Sequence, residues 1–500
     1  MKKLLLAILF SGAAVANAQE ANWQHKDLKT DSIFGVSSDK AYNELLKGKK
    51  SKKVIVAVID GGLDYKHEDL KTIAWVNTKE KAGNGKDDDK NGYVDDVYGW
   101  NFLGSAKGSV TYDNLELARI VKNNPTSPLK DTLDAKIQKS TNTRNNIMGF
   151  KTVFDQVIKG TGSTNPDRAA LTAYKPTTGP QQQVQKIVLS MLEEQGSVEA
   201  ISKAIDGDIK HLDDELKYNY NINYNSRDTV GDDANDVNQK IYGNAVVDAF
   251  DSDHGTHVAG IIAATRTNNL GIIGIADNVA ILPVRTVPTG DERDKDVANA
   301  IYYAVDNGAK VINMSFGKGY SPNKEAVDKA VKYALSKDVL LVHAAGNDAS
   351  NNDLGNNFPT AVYKDGGDAK TGWIEVGASA FKDGADLTAP FSNYGAKMVD
   401  LFAPGVKINS TTPGSKYEDH SGTSMAAPVV AGVAATIREY YPKLTAVQVK
   451  EILMKSVTKV THDVKLPGDR EGKLVPFSSL CVSGGIVNLY SALQLAATYK

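Results

Sequence analysis

Short apolar runs rich in β-branched residues alternate along this chain with stretches whose apolar residues recur at helical spacing. The strand-like runs cover residues 54–59, 279–284, 311–314, 339–345 and 374–378. Between the second and third runs lies a helical stripe that ends before Gly308, formed by Val297, Ala300, Ile301, Ala304 and Val305. This alternation predicts an α/β fold in which a mainly parallel sheet carries helices on both faces.

The N-terminus has the pattern of a secretory signal peptide. Two lysines follow Met1, residues 4–16 are apolar or small, and Ala16 and Ala18 form a small-x-small cleavage site. The apolar stretch is too short for a stable transmembrane helix. We therefore expect residues 1–18 to be removed and the mature chain to be exported without a membrane-spanning segment. The same signal serves periplasmic and secreted proteins.

Composition narrows the range of partners. The formal net charge of −2 over 500 residues argues against nucleic acid as the main partner. Cys481 is the only cysteine, so an intrachain disulfide is excluded. An exported domain without disulfides often relies on bound ions for its stability.

A candidate ion site lies in the acidic segment 87–96. Its oxygen-bearing residues follow the first half of an EF-hand-type calcium loop, with Gly92 at the sixth position. The candidate ligands are Asp87, Asp89, Asn91, the Tyr93 carbonyl, Asp95 and Asp96. The pattern departs at the twelfth position, where Tyr98 replaces the usual glutamate. The segment is therefore either a structural calcium site or a solvated acidic turn.

Ser424 lies in a glycine-flanked turn that leads directly into an apolar helix predicted from Met425 to about Tyr440. A serine at a helix start is adjacent to unpaired backbone N–H groups, which can stabilise charge on a substrate oxygen. The simpler alternative is a helix cap, since serine begins many helices. A nucleophilic serine also needs a base and a group that orients the base.

Two other segments offer those partners. Asp60 ends the first apolar run, at the sheet edge where α/β proteins place their sites. His254 begins a second helix of small residues. Each residue alone is weak support, because strand-end acids are usually turn or cap residues and helix-start histidines are usually surface residues. Together they give the chain order acid, base, nucleophile, which is one of the known orders of the Ser-His-Asp triad.

The segments 59–62, 254–260 and 421–428 resemble the three catalytic blocks of subtilisin-like serine proteases, the subtilases. The resemblance implies a three-layer subtilisin-like fold and serine endopeptidase activity. It identifies Asp60 as the orienting acid, His254 as the base and Ser424 as the nucleophile. His257 matches the second histidine of the same block and is expected to pack structurally. Calcium is common in the family, whereas bond cleavage uses no metal.

The resemblance also identifies residues that contact the substrate. Asn347 follows Ala344, Ala345 and Gly346 as the family's oxyanion-stabilising asparagine does. The pocket for the residue before the cut is expected between that segment and Ser315, Phe316 and Gly317. These walls are small and mostly apolar, and no acid is committed to the pocket floor. We therefore expect a large apolar or aromatic side chain before the cut, rather than lysine or arginine. The enzyme is expected to be a monomer of broad specificity for proteins or peptides.

The resemblance covers residues 54–103 and 232–495, which predicts a split catalytic domain. Residues 19–53 form an N-terminal extension that is too short for the family's usual inhibitory propeptide. Residues 104–231 form a mainly helical insertion, with helix-like stretches at 115–122, 184–194 and 198–216, the last interrupted at Gly207. The insertion is either a surface decoration or a lid or exosite, because both its ends lead back to catalytic segments.

Two other functional classes remain as alternatives to the protease. One is a catalytically silent subtilase relative that binds peptides, which the presence of all triad residues disfavours. The other is an exported adhesion or structural protein, which the lack of appended binding modules disfavours. Covalent labelling of Ser424 separates the protease from both.

Overall fold

The structure is a computed structural model that describes residues 21–249, 251–355 and 357–499. The predicted signal peptide, residues 1–18, lies outside the described residues. Two compact units divide the chain. The described residues of 21–116 and 226–499 belong to the larger unit, which we call the catalytic unit because the residues predicted to be catalytic, Asp60, His254 and Ser424, lie in it. Leu117–Asn225 belong to the smaller unit, the insertion unit.

A nine-stranded sheet forms the centre of the catalytic unit. The strands of the described chain are β1 Val54–Asp60, β2 Trp100–Asn101, β3 Gly104–Ser105, β4 Gly108–Ser109, β5 Val279–Arg285, β6 Val311–Met314, β7 Leu340–Ala344, β8 Trp373–Ser379, β9 Leu401–Pro404, β10 Ile408–Thr412, β11 Lys416–His420, β12 Thr458–Lys459, β13 Asp463–Lys465, β14 Leu474–Pro476 and β15 Gly485–Ile486.

The strands of the large sheet lie in the order β12-β15-β9-β8-β7-β6-β1-β5-β2. All neighbouring pairs are parallel except β12 and β15. Parallel neighbours place their carboxyl ends at one edge, which is where the predicted site residues lie.

Helices of very different length complete the two units. They are α1 Leu28–Asp31, α2 Ser38–Ala41, α3 Glu116–Asn123, α4 Lys130–Gly160, α5 Arg168–Ala173, α6 Gly179–Gln195, α7 Val198–Asp214, α8 Arg227–Val230, α9 Asp253–Ala263, α10 Asp294–Asp306, α11 Lys324–Ser336, α12 Thr423–Tyr440, α13 Ala446–Lys455 and α14 Leu489–Ala496. Within the described ranges, none of them combines the length and apolar character that crossing a membrane requires.

The two faces of the sheet are covered by separate hydrophobic cores. Alternate side chains of β1 point to opposite faces, as strand geometry requires. Val56 and Val58 join a core with α9 and α12, whereas Ala57 and Ile59 join one with α10 and α11. The predicted α/β fold, a mainly parallel sheet between two helical layers, is therefore confirmed.

The N-terminal extension packs into the first of these cores. Trp23 is 1% exposed, and Val36 and Leu46 are buried beside it. The Trp23 ring meets Phe381 edge to face, with centroids 6.0 Å apart. Burial of this kind makes the described part of the extension a structural component of the catalytic unit rather than a loosely attached leader.

The insertion unit has a hydrophobic core of its own. Apolar side chains of α4 to α7 meet there, namely Phe154, Val157, Ile158, Leu171, Val184, Val188, Val198, Ile201 and Ile205. The prediction that Gly207 interrupts the last helix is wrong, because α7 continues through it to Asp214. A glycine inside a helix costs only about 1 kcal/mol, which burial of Ile201 and Ile205 outweighs.

Candidate active site

Asp60 and His254 meet where the first strand ends and the ninth helix begins. Asp60 is the last residue of β1 and is 2% exposed, and His254 is the second residue of α9. His254 Nδ1 lies 2.8 Å from Asp60 Oδ1 and 3.0 Å from Oδ2. The rest of the imidazole is open, since 41% of the His254 side chain is exposed. A buried acid thus holds one nitrogen of an accessible imidazole.

Two glycines allow this contact. A Cβ on Gly255 would lie 2.0 Å from the Gly62 carbonyl oxygen and 3.1 Å from Asp60 Cβ, so α9 rests directly on the chain that leaves β1. Gly62 itself has a φ of +122°, a backbone conformation that side chains disfavour. The motif glycines are therefore required for the distance between Asp60 and His254.

The Asp60 carboxylate raises the basicity of the imidazole. Burial lowers the pKa of His254, but the charge of Asp60 and its hydrogen bond raise it by more. The net pKa lies above the ordinary value of 6.5.

His257, one turn further along α9, has a lowered pKa instead. Its burial lowers its pKa to about 3, and its ring stacks on His420 with centroids 4.1 Å apart, so it stays neutral and structural.

Ser424 is the second residue of α12. The N-cap residue of this helix is Gly422, not Ser424. Its hydroxyl donates to the Ser315 carbonyl at 3.2 Å. The Ser424 carbonyl accepts from the Ser315 hydroxyl at 2.9 Å, and Pro428 explains why. Pro428 has no N–H, so the carbonyl four residues earlier lacks its helical donor. Ser315 replaces that donor and fixes the start of the helix.

No hydrogen bond joins the Ser424 hydroxyl to His254 among the described residues. Catalytic hydrogen bonds of this kind are often long in ligand-free structures and tighten when a substrate binds. The two residues nevertheless belong to helices that pack on each other in the same core, α9 and α12.

Asn347 is oriented by Thr423, a residue that the sequence did not single out. The Asn347 Oδ1 atom accepts from the Thr423 backbone N–H at 2.9 Å and from its hydroxyl at 3.0 Å. The amide donor Nδ2 is therefore directed elsewhere. A Cβ on Gly422 would lie 3.5 Å from Asn347 Nδ2 and 3.5 Å from the Ser424 backbone nitrogen. The missing side chain of Gly422 leaves both donors bordering one open space.

The two predicted pocket walls follow neighbouring parallel strands. Ser315, Phe316 and Gly317 come directly after β6, and Ala344 ends β7, with Ala345 and Gly346 after it. Beneath the first wall, buried His343 contacts the Phe316 carbonyl through Nε2 at 2.8 Å and the Glu375 carboxylate through Nδ1. Burial raises the pKa of Glu375, and His343 opposes that effect.

The carboxamide of Asn357 lies between these walls, and sequence reasoning missed it. A Cβ on Gly317 would lie 2.3 Å from Asn357 Oδ1, and one on Gly346 would lie 3.5 Å from Asn357 Cγ. The Asn357 Nδ2 atom donates to the Ala344 carbonyl at 2.9 Å. The space between the walls is thus partly filled by a polar group. No local pattern in the sequence marks this residue, which lies ten positions after Asn347.

Three acids meet in the candidate calcium segment, and one of them was not predicted. Carboxylate oxygens of Glu80, Asp87 and Asp89 lie within 4.8 Å of one another. Glu80 is 8% exposed, and its Oε1 accepts from the backbone N–H of Asp88 and Asp89. Its other oxygen, Oε2, is buried and has no hydrogen-bond partner among the residues that the structure describes. A buried carboxylate oxygen without a donor fits a cation, since leaving it unpaired is costly.

The other candidate ligands have different partners. Asp95 accepts from the backbone N–H groups of Asn84 and Gly85. Asp96 is fully buried and accepts from two side-chain amides and the Tyr303 hydroxyl, and burial raises its pKa to about 6. The Tyr93 ring is buried, and the Asn91 Oδ1 atom accepts from the Tyr93 N–H.

Comparisons with known proteins place the chain among serine proteinases by sequence. The model of the Subtilase family matches residues 51–472. Over 187 residues the chain is 45% identical to a thermophilic serine proteinase of Bacillus sp. (strain AK1). It is 39% identical over 210 residues to a subtilisin of Bacillus pumilus and 38% identical over 210 residues to subtilisin E of Bacillus subtilis (strain 168).

These matches cover parts of each protein. They span 37% to 41% of this chain. They span 42% of the thermophilic proteinase, 70% of the Bacillus pumilus subtilisin and 51% of subtilisin E. The chain therefore spans about half the length of most of these relatives.

The raised pKa of His254 predicts the pH dependence of catalysis. A general base must be neutral, so kcat/KM on a peptide substrate should rise with pH and level off above the imidazole pKa. We expect this acidic limb above pH 6.5, because the Asp60 charge favours the protonated form. A limb well below pH 6.5 would show that Asp60 does not act on the base.

Proposed function

The chain belongs to the subtilase family, and from that membership we propose that it is an exported serine endopeptidase. One observation supports this most strongly, the pairing of buried Asp60 with the exposed imidazole of His254. That pairing is the acid–base half of a catalytic triad, and Ser424 at the start of α12 is its proposed nucleophile.

The proposed reaction is hydrolysis of a peptide bond through an acyl-enzyme. His254 takes the proton of the Ser424 hydroxyl as its oxygen attacks the carbonyl carbon of the substrate. Asp60 fixes the imidazole tautomer and stabilises the imidazolium. Asn347 Nδ2 and the Ser424 N–H stabilise the oxyanion, and His254 then protonates the leaving amine. Water, activated by the same histidine, releases the acyl group from Ser424.

The proposed substrates are proteins or peptides with an apolar side chain before the cut. An extended peptide lying along the segment after β6 is recognised mainly through its backbone, which favours broad specificity. The Asn357 carboxamide between Gly317 and Gly346 supports a limit on the length of that side chain.

We also propose a structural calcium ion, held by Glu80, Asp87 and Asp89. The buried unpaired oxygen of Glu80 and the two nearby carboxylates support it. The ion would stabilise the loop between β1 and β2 and would take no part in bond cleavage. Export to the periplasm or the medium follows from the predicted signal peptide, and the enzyme is proposed to act as a monomer.

Covalent labelling tests the proposed activity. A fluorophosphonate probe should label the wild-type protein, and Ser424→Ala should abolish the label. Thr423→Ser, which keeps a hydroxyl beside Ser424, is the matched control and should still be labelled. Unlabelled wild-type protein would contradict the protease and favour the silent peptide-binding relative.

Removal of the Asn357 carboxamide should change the preferred substrate. In Asn357→Gly, the ratio of kcat/KM for Phe over Ala before the cut should rise roughly tenfold, because the space between the walls becomes deeper. Asn351→Gly, in the same loop, is the control and should keep the wild-type ratio. An unchanged ratio in Asn357→Gly would exclude Asn357 from the pocket.

Calcium should stabilise the protein through Glu80. Calcium at 100 times its Kd should add about 2.7 kcal/mol to the free energy of unfolding relative to chelator. Calorimetry in the Ser424→Ala background, which prevents autolysis, should show this gain as a higher Tm. Glu80→Gln should lose most of it, whereas Asp95→Asn should keep it. A Tm unaffected by calcium would contradict the site.

A further inference from the structure

Arg285 is a fully buried arginine immediately beside the catalytic acid. It ends β5 and pairs with Asp60 in the parallel register of β1 and β5. Within the part of the chain that the structure describes, its guanidinium donates no hydrogen bond to Asp60 or His254. It donates instead to Gly61, which follows Asp60, and to Asp251, which precedes His254 by three residues.

The guanidinium joins the segments that carry the acid and the base. Its Nε donates to the carbonyl of Gly61, the residue after Asp60, at 2.8 Å. Its Nη2 donates to both carboxylate oxygens of Asp251 at 2.7 and 2.8 Å. Asp251 lies two residues before α9 and three before His254. One rigid group thus connects the end of β1 to the beginning of α9.

The guanidinium also donates to two further segments, one in β2 and one directly after β4. Nη1 donates to Asn101 Oδ1 at 3.1 Å, and Nη2 also donates to the Val110 carbonyl. The planar guanidinium presents its donors in a fixed arrangement, which lysine does not reproduce. A buried ion pair of this kind adds little net stability over an apolar pair, so stability alone does not explain the arrangement of these contacts.

The carboxylate of Asp251 interacts electrostatically with both Arg285 and Asp60. Burial raises the pKa of Asp251, the Arg285 cation opposes that rise, and the negative charge of Asp60 adds to it. Arg285 therefore compensates the charge of a second carboxylate that lies near Asp60.

We propose that Arg285 is a positioning residue that sets the contact between Asp60 and His254 by joining Gly61 to Asp251. This inference rests on the proposed protease function. Arg285 contacts neither the substrate nor the reacting atoms. It acts on catalysis through the relative placement of the strand end and the helix start.

The test compares Arg285→Met with a matched control, Arg227→Met. Arg227 is 5% exposed and pairs with Asp232 and Asp296, which lie outside the segments carrying Asp60 and His254. In Arg285→Met we expect kcat on a chromogenic peptide to fall about 100-fold, because small misplacements of catalytic groups are costly. KM should change less than about twofold, since the pocket walls are untouched.

The acidic limb of the pH profile gives a second readout. In Arg285→Met/Asp251→Asn, which removes the cation together with the carboxylate that it pairs with, His254 loses the contact with Asp60 that raises its pKa, and the acidic limb should move to lower pH. Asp253, whose charge also raises that pKa, is unchanged in this variant. Arg227→Met should lower Tm but keep the wild-type kcat and limb. Equal losses of kcat in Arg285→Met and Arg227→Met, or an unchanged limb in the double variant, would overturn the inference in favour of a purely structural role.

Two further variants keep the test decisive if Arg285→Met folds poorly. Arg285→Lys keeps a cation near Asp251, so it should fold, yet it lacks the fork that also holds Gly61, and its kcat should fall. The double variant Arg285→Met/Asp251→Asn also removes the carboxylate charge that Arg285→Met leaves unpaired, so its Tm should recover. Its kcat should stay low, because Gly61 and position 251 remain unconnected. If Arg285→Lys folds and keeps the wild-type kcat, only the role of Arg285 is overturned. If the fluorophosphonate probe does not label the wild-type protein, the protease function itself is overturned.

Discussion

The close approach of α9 to the end of β1 is the constraint on which the site depends. Asp60 and His254 are far apart in the sequence, and the parallel sheet brings the strand end to the edge where the helix begins. The 2.8 Å contact then requires glycine at positions 62 and 255, because side chains there would collide with the facing chain. Catalytic geometry therefore follows from sheet topology and from two residues without side chains.

A second constraint links the nucleophile to the substrate strand. Pro428 removes one helical donor, and Ser315 supplies the replacement while its own carbonyl accepts from the Ser424 hydroxyl. Ser315 also begins the first predicted pocket wall, so one residue contacts Ser424 and belongs to that wall. Thr423 extends the same principle to the oxyanion donor, since it fixes the orientation of Asn347.

The sequence predicted residues that local patterns mark, at the start or end of an element. It missed residues whose role depends on contacts between distant segments. Asp60, His254 and Ser424 each end or begin an element whose apolar pattern is visible in the sequence. Arg285 and Glu80 look like ordinary charged residues until the fold buries them beside distant partners. Helix α4 was missed because its central segment, 139–146, is entirely polar, so that apolar periodicity is lost there.

The proposed reaction requires that Ser424, activated by His254 and Asp60, form an acyl-enzyme. The most direct measurement is to mix the protein with a chromogenic ester, stop the reaction with acid within milliseconds, and map the acylated peptide by mass spectrometry. We expect one acyl group on Ser424 in the wild-type protein and a much slower accumulation in Asp60→Asn and His254→Ala. Turnover of the ester without an adduct, or with an adduct on another residue, would contradict it.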